Sequence, residues 1–226
     1  MPGKELASKV ELFQHQRATA RQWFEDWWNS SFGVIAEQDL GEDMPLLTTS
    51  DNCFTLKLDL PDQPDLAPIQ TAWALSRWLC ARGASVVLDV HAFRYRTHED
   101  VEKLGFDEAD VLRDVKLVLE TDATQGDLHL MHTRGLCKFA RPELTCFVTP
   151  DDASVSGRIL NQIARTLMEG ARAEQIRLRI TDGVEVVTRP CAERALLESL
   201  GLEAAVSLVR SDGTPLAGIA RLAPGV

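Results

Sequence analysis

The sequence predicts an α+β protein in which helices lie on a mostly antiparallel sheet. Three observations carry this prediction. Short runs of alternating apolar and polar residues recur along the chain, as they do in half-buried strands. Two longer segments, 66–82 and 153–169, carry apolar residues at helical spacing. The dipeptide Asp182-Gly183 separates two alternating runs, which is typical of a β-hairpin.

Composition narrows the class of protein before any element is considered. The 226 residues are 45% hydrophobic and 26% charged, as in ordinary globular proteins. The formal net charge of −10 argues against a general nucleic-acid binder, because such proteins present a basic surface to phosphates. No apolar run approaches the roughly 20 residues that span a bilayer, and the N-terminus lacks the apolar core of a signal peptide. We therefore expect a cytoplasmic protein that binds neither nucleic acid nor membranes.

The cysteines point to the same compartment. They are odd in number and form no C-x-x-C pair, which indicates reduced thiols rather than a disulfide framework or a zinc site. The five are Cys53, Cys80, Cys137, Cys146 and Cys191.

The N-terminal segment 5–29 is predicted to be an amphipathic helix. Its apolar residues recur on one helical face: Leu6, Val10, Phe13, Ala20, Phe24 and Trp27. We expect residues 1–32 to dock on a single α+β domain over 33–226, whose two halves would meet near 120–143. A second interpretation stays open, in which the aromatic side chains of this helix bind a protein partner or a second copy of the chain. Those side chains are Trp23, Phe24, Trp27 and Trp28.

Residues 53–90 are predicted to form a β-α-β unit with a right-handed crossover. An alternating strand over 53–60 is followed by a helix from 66 to about 82 and by a short β-branched strand over 85–90. Asp65 is placed to cap the start of the helix and Gly83 its end. Residues 144–180 repeat this strand–helix–strand plan, so the two segments are candidates for degenerate halves of a duplication.

The remaining elements follow in order. An acidic helix capped by Thr97 is predicted over 97–112, and residues 115–119 and 128–132 are predicted to be paired strands. Further elements are a strand at 144–148, a helix at 153–169 that ends at Gly170, a hairpin at 175–187, a helix at 190–200 and a closing hairpin over 206–222.

The strongest candidate for a site is the segment 128–142, LHLMHTRGLCKFARP. It holds two histidines and three cations but no acid, in a chain that is otherwise acidic. On a strand His129 and His132 point to opposite faces, so they do not share a metal ion. Gly135 permits a sharp turn, after which Arg134, Lys138 and Arg141 could converge on a carboxylate or phosphate.

Two interpretations of these cations stay open. In one, Arg134 and Arg141 pair with the protein's own acids, ten of which lie between residues 98 and 127. In the other, Arg134, Lys138 and Arg141 bind a small anion, with His132 as an acid or base. The chain has no nucleophile elbow, P-loop or dinucleotide motif, so we predict no cofactor and assign no catalytic residue or metal ligand.

The run HTRGLCKFARPEL (132–144) resembles an uncharacterised bacterial α+β domain family with the motif H-T-x-G-[ML]-x-K-F-G-x-P-[DE]. The similarity covers roughly residues 50–180, and only the motif is specific. The chain has Ala140 where the motif has glycine. The resemblance implies an α+β fold but no reaction; some relatives look like accessory or immunity-type proteins of bacterial secretion and toxin systems. We therefore expect a non-enzymatic, cytoplasmic bacterial protein that acts through a protein partner or as a homodimer, with an anion-binding domain or enzyme as the alternative.

Overall fold

The computed structural model describes residues 9–59, 66–105, 108–173, 176–181, 184–191, 194–202 and 204–219. It confirms the α+β class, because helices accompany two antiparallel two-stranded sheets and one mixed sheet of six strands. The chain divides into two units, residues 1–109 and 110–226. This division lies far from the expected boundary at residue 32, and it precedes the segment 120–143 where two halves were expected to meet.

The first unit contains two small sheets and five helices over its described residues. Strand β1 pairs antiparallel with β2, and β3 pairs antiparallel with β4. In chain order the elements are β1 (Lys9–Gln16), α1 (Arg21–Trp28), α2 (Ser31–Leu40), α3 (Met44–Thr48), β2 (Asn52–Asp59), α4 (Ala67–Cys80), β3 (Val86–Asp89), β4 (Arg94–Thr97) and α5 (His98–Lys103).

The predicted N-terminal helix is wrong over Lys9–Gln16, which is a strand, and only Arg21–Trp28 is helical within 9–29. Val10 and Phe13 are at helical spacing, but Val10 and Leu12 alternate with polar residues as in a strand. In the structure Val10 lies opposite Leu58 and Leu12 opposite Leu56. The long-range pairing with β2 therefore overrides the helical pattern, as tertiary context often does.

The predicted β-α-β unit is also wrong in its pairing. Its strand, helix and strand are present as β2, α4 and β3, but β2 pairs with β1 whereas β3 pairs with β4 in a separate sheet. Strand β7 of the second unit instead belongs to the six-stranded sheet, so the expected likeness between 53–90 and 144–180 is not found. Asp65, the expected helix cap, lies outside the described residues, and Gly83 follows α4 with a φ of 101°.

The second unit is built on the six-stranded sheet, in the order β5-β6-β7-β10-β9-β8. All neighbours are antiparallel except β7 and β10, which are parallel. The elements are α6 (Val111–Asp114), β5 (Lys116–Gln125), β6 (Leu128–Arg134), β7 (Glu143–Val148), α7 (Ala153–Met168), β8 (Arg177–Thr181), β9 (Val184–Pro190), α8 (Arg194–Ser199) and β10 (Ala205–Arg210).

The core of this unit lies between α7 and one face of the sheet. Ile159, Ile163 and Leu167 of α7 are buried, in the predicted four-residue row, and they cluster with Leu144 and Cys146 of β7. The predicted strands at 128–132 and 144–148 and the helix at 153–169 are confirmed to within a few residues, and the strand at 115–119 is present but continues to Gln125. The β8–β9 hairpin is also confirmed, and its turn falls outside the described residues.

Three further predictions need correction. The helix over 97–112 is interrupted, since α5 ends at Lys103 and α6 begins at Val111, although Thr97 does cap α5 by accepting from the Asp100 amide at 3.2 Å. Within the described residues, the helix predicted over 190–200 is found at Arg194–Ser199, and Pro190 belongs to β9. The closing hairpin is absent from the described residues, because β10 pairs with β7 and β9 and residues 216–219 form no strand.

Candidate functional site

The basic segment 128–142 consists of strand β6, a turn, and the residues that lead into β7. The β6–β7 ladder runs from His129 opposite Val148 to His132 opposite Thr145. Gly135 then takes a φ of 115°, and a 3₁₀ turn over Leu136–Phe139 ends at Ala140 with a φ of 53°. Left-handed backbone favours glycine at both positions, which matches the two glycines of the motif and leaves Ala140 in a conformation that disfavours a Cβ atom.

A buried carboxylate organises this turn. Oε1 of Glu143 accepts hydrogen bonds from the backbone amides of Gly135 at 2.9 Å and Cys137 at 3.2 Å, while Oε2 accepts from the hydroxyl of Thr133 at 2.7 Å. Only 4% of Glu143 is exposed. The paired backbone amides form the kind of concavity that binds anions, and the chain's own carboxylate occupies it. The sequence analysis gives Glu143 no role. The acid at the end of the motif, three residues after Ala140, is the feature of the sequence that could have indicated it.

The two arginines of the segment bond to the ends of two different helices. Arg134 donates to the carbonyls of Leu200 and Gly201, just after α8, and Arg141 donates to the carbonyl of Leu167 in the last turn of α7 at 2.9 Å. Cations near a helix C-terminus satisfy carbonyls that have no partner within the helix. Both arginines therefore have a stabilising role inside the fold through backbone carbonyls, and the carboxylate of Glu120, one of the acids of 98–127, also acts electrostatically on Arg134.

The environment of Arg134 is buried and charged. Burial lowers the pKa of the Arg134 guanidinium, and the nearby carboxylates of Glu143 and Glu120 act in the opposite direction. Lys138 lies on the 3₁₀ turn and is half-buried, whereas Cys137 beside it is exposed. His132 is fully buried, with Nε2 3.0 Å from Oε1 of Glu120. The predicted binding residues therefore belong to one segment, but the hydrogen bonds of Arg134 and Arg141 lead to separate helix ends.

The aromatic side chains of α1 are packed to different degrees. Phe24 is buried, and Trp27 stacks on Phe32 with ring centroids 4.4 Å apart while its Nε1 donates to the Tyr95 hydroxyl at 2.7 Å. Burial raises the pKa of Tyr95 to about 12. Trp23 is 38% exposed and stacks on His15 of β1. Of the four predicted partner-binding residues, Trp23 is thus the most available and Phe24 the least.

A groove of about 560 Å³ lies beside α1 and includes Trp28 among its lining residues. Its arginines already have partners, since Arg21 donates to Glu25 at 2.7 Å and the guanidinium of Arg17 lies over the Phe24 ring at 5.4 Å. Because both arginines contact residues of the first unit, we assign no ligand to this groove.

A more extended apolar surface lies on the β1–β2 ribbon, the two-stranded sheet of residues 9–16 and 52–59. Residues that face each other across an antiparallel pair share one side of the sheet, which places five apolar side chains on the same face: Val10, Leu12, Phe54, Leu56 and Leu58. Val10, Leu12 and Phe54 are 51%, 49% and 41% exposed. The alternation in β2 is predicted from the sequence, but the shared face is not, because residues 9–16 are predicted to be helical.

Known proteins give no assignment for this site, so its geometry is the basis for interpreting it. No family model, no curated protein and no solved structure matches the chain. The resemblance of residues 132–144 to an uncharacterised bacterial family therefore rests on the motif alone. Within the described residues, no group of three or more histidine, cysteine, aspartate or glutamate side chains is arranged to hold a metal ion, and no described helix is long and apolar enough to cross a membrane.

Proposed function

We propose that this chain is a non-enzymatic protein-interaction module, of the accessory or immunity type that the motif resemblance implies. The apolar face of the β1–β2 ribbon is its contact surface. The observation that carries the proposal is the exposure of Val10, Leu12 and Phe54, at 41–51% each, on one side of a two-stranded sheet.

Exposed apolar residues are common singly but rarely lie side by side. When a partner covers such apolar surface, its removal from water stabilises the complex by about 25 cal/mol per Å² buried. A two-stranded ribbon also has unpaired backbone groups along its edges, to which an extended segment of another protein can add. Trp23 stacks on His15 of β1, whose side chain lies on the opposite face of the ribbon, so it does not extend the proposed surface.

Anion binding by residues 132–141 is the alternative, and three contacts weigh against it. The carbonyls after α8 accept from Arg134, the carbonyl of Leu167 accepts from Arg141, and Glu143 fills the concavity of backbone amides. An external anion would compete with each of these contacts. We also propose a cytoplasmic location, in keeping with five cysteines that are all unpaired thiols.

Site-specific photo-crosslinking in living cells tests the proposed surface. A photoreactive residue replaces Leu12 in one variant and Phe54 in another, and Gln70, which is exposed on α4, serves as the matched control position. The proposal predicts one discrete protein adduct from both ribbon positions and none from position 70. A self-adduct would identify a homodimer. No adduct at either ribbon position, or equal adducts at all three positions, would refute the proposed surface.

A further inference from the structure

We propose that the edge strand β8 of the second unit is a docking site for an extended acidic segment of a partner protein, which adds to the sheet as a further strand. The inference concerns a surface other than the β1–β2 ribbon and is independent of the proposed function. It rests on the direction of the backbone groups of β8 and on the two arginines that this strand carries.

Strand β8 lies at one end of the six-stranded sheet, and β9 is its only neighbour among the described strands. The Thr188 amide donates to the carbonyl of Ile176 at 3.1 Å, across the ladder in which Arg177 lies opposite Val187. Because hydrogen-bonded and non-hydrogen-bonded pairs alternate in an antiparallel ladder, the N–H and C=O groups of Arg177 point away from β9.

Arg179 has the same orientation. It lies opposite Glu185, whose carbonyl accepts from the Ser211 amide at 2.9 Å and so points away from β8. In a pair of this kind the backbone groups of both residues point outwards. The free edge of β8 thus presents the N–H and C=O groups of both arginines, two residues apart, as the addition of a strand requires.

The side chains along this edge are basic. Leu178 and Ile180 pack against the core on the α7 side, so the alternate residues Arg177 and Arg179 lie on the opposite face of the sheet. Both arginines are exposed, and the strand itself carries no acid. Glu185 of β9 pairs with Arg177 at 3.2 Å, but the side chain of this arginine is 71% exposed. Such an exposed ion pair is weak, so carboxylates of a partner can replace it.

Charge selects the occupant of the edge. In a strand added to β8, the side chains directly opposite Arg177 and Arg179 lie two residues apart on one face, and acidic residues there form two favourable cross-strand pairs. A second copy of β8, paired in register, would place Arg177 opposite Arg179 and oppose like charges, so the edge disfavours pairing with itself. A nucleic acid would meet the arginines but could not continue the backbone ladder.

Binding of a synthetic peptide to the full chain tests the inference. The probe is a fluorescein-labelled peptide in which glutamate alternates with threonine or valine, and fluorescence anisotropy follows its binding. We expect Arg179→Glu to weaken binding at least about fivefold, because an attractive cross-strand pair becomes repulsive. The matched control is Arg165→Glu, the same charge change at an exposed position of α7, on the other side of the sheet. It should change the affinity less than about twofold.

Two further peptides test the mode of binding on the parent protein, so their results do not depend on the folding of a variant. A peptide N-methylated at its glutamates keeps the charge but lacks the N–H groups that Arg177 and Arg179 would accept, and we expect no binding. A peptide with lysine in place of glutamate should not bind either. With the original peptide bound, hydrogen exchange should slow at the amides of both arginines.

Several results would overturn the inference. One is the absence of binding between the parent and the alternating glutamate peptide. Another is an equal affinity of the parent and Arg179→Glu for that peptide, or equal binding of its N-methylated or lysine counterpart. Unchanged hydrogen exchange at Arg177 and Arg179 would exclude strand addition, and tighter binding of a short single-stranded DNA would assign the arginines to a nucleic acid instead.

Discussion

The hydroxyl of Thr133 donates to Oε2 of Glu143 at 2.7 Å and accepts from the Leu144 amide at 2.8 Å. This relationship links the last residues of β6 to the first residues of β7, just beyond the point where the regular ladder ends. The turn between the two strands is thus fastened by side chains of its own motif.

Replacing Glu143 by alanine should destabilise the second unit strongly. Two backbone amides and one hydroxyl would lose their acceptor in a buried position, and we expect a loss of about 3 kcal/mol. Glu169→Ala, at an exposed position after α7, should change stability by less than about 0.5 kcal/mol. Denaturant unfolding followed by far-UV circular dichroism measures both, because all five tryptophans and the one tyrosine lie in residues 1–109 and do not report on the second unit. An unchanged midpoint for Glu143→Ala would contradict the structural role.

Replacing Ala140 by glycine should stabilise the same turn. Ala140 is exposed and has a φ of 53°, so its Cβ atom costs about 1 kcal/mol there, part of which the extra chain entropy of glycine offsets. We expect a net gain of about 0.5 kcal/mol, and a loss for Ala140→Val because a β-branched residue tolerates this backbone less well. The stability order glycine, alanine, valine is the measurement; the reverse order would show that the backbone is not left-handed at this position.

The arginines that bond to helix ends should matter for stability. Arg134→Met and Arg141→Met remove charged hydrogen bonds to backbone carbonyls, and each should cost about 2 kcal/mol. Arg172→Met, at an exposed position, is the matched control. If both variants were as stable as the parent, the interpretation as helix caps would fail and anion binding by the basic segment would gain support.

Gly33 should not tolerate a side chain. A Cβ atom placed there would lie 2.1 Å from the backbone oxygen of Trp28, so the α1–α2 connection would have to move. Gly33→Ala should therefore lower the stability of the first unit by more than 2 kcal/mol, on the order of other strongly overpacked sites. Gly105→Ala is the control, because no described residue other than its chain neighbours lies within 4 Å of a Cβ atom placed there. Tryptophan fluorescence follows both variants, and equal midpoints would disprove the close approach.

The thiols should differ sharply in reactivity. Burial raises the pKa of Cys146 to about 12, so it remains a protonated, inaccessible thiol at pH 8 in the folded state. Cys137 is exposed and should react with a thiol reagent within the mixing time. Mass spectrometry of labelled peptides separates the two sites. Rapid labelling of Cys146 without denaturant would contradict its place in the core.

The sequence predicted well those elements whose pattern is local. The four-residue apolar row of α7, the hairpin of β8 and β9 and the cap at Thr97 each follow from neighbours within a few residues. The prediction failed at β1, where the apolar residues fit both a helical and a strand period. Pairing with the distant strand β2 selects the strand. For the site, the sequence singled out the segment 128–142 but not Glu120 or Glu143, because their roles depend on atoms that only folding brings together.

The sequence by itself determined the α+β class, the helical or extended state of the strongly periodic segments, and the segment in which charge is inverted. Tertiary structure alone decided which strands pair, that Arg134 and Arg141 bond to helix ends, and that Glu143 fills the turn. The physical reason is that periodicity records which face of an element is buried, whereas strand order and buried polar pairing depend on contacts between distant residues, where several arrangements share the same pattern.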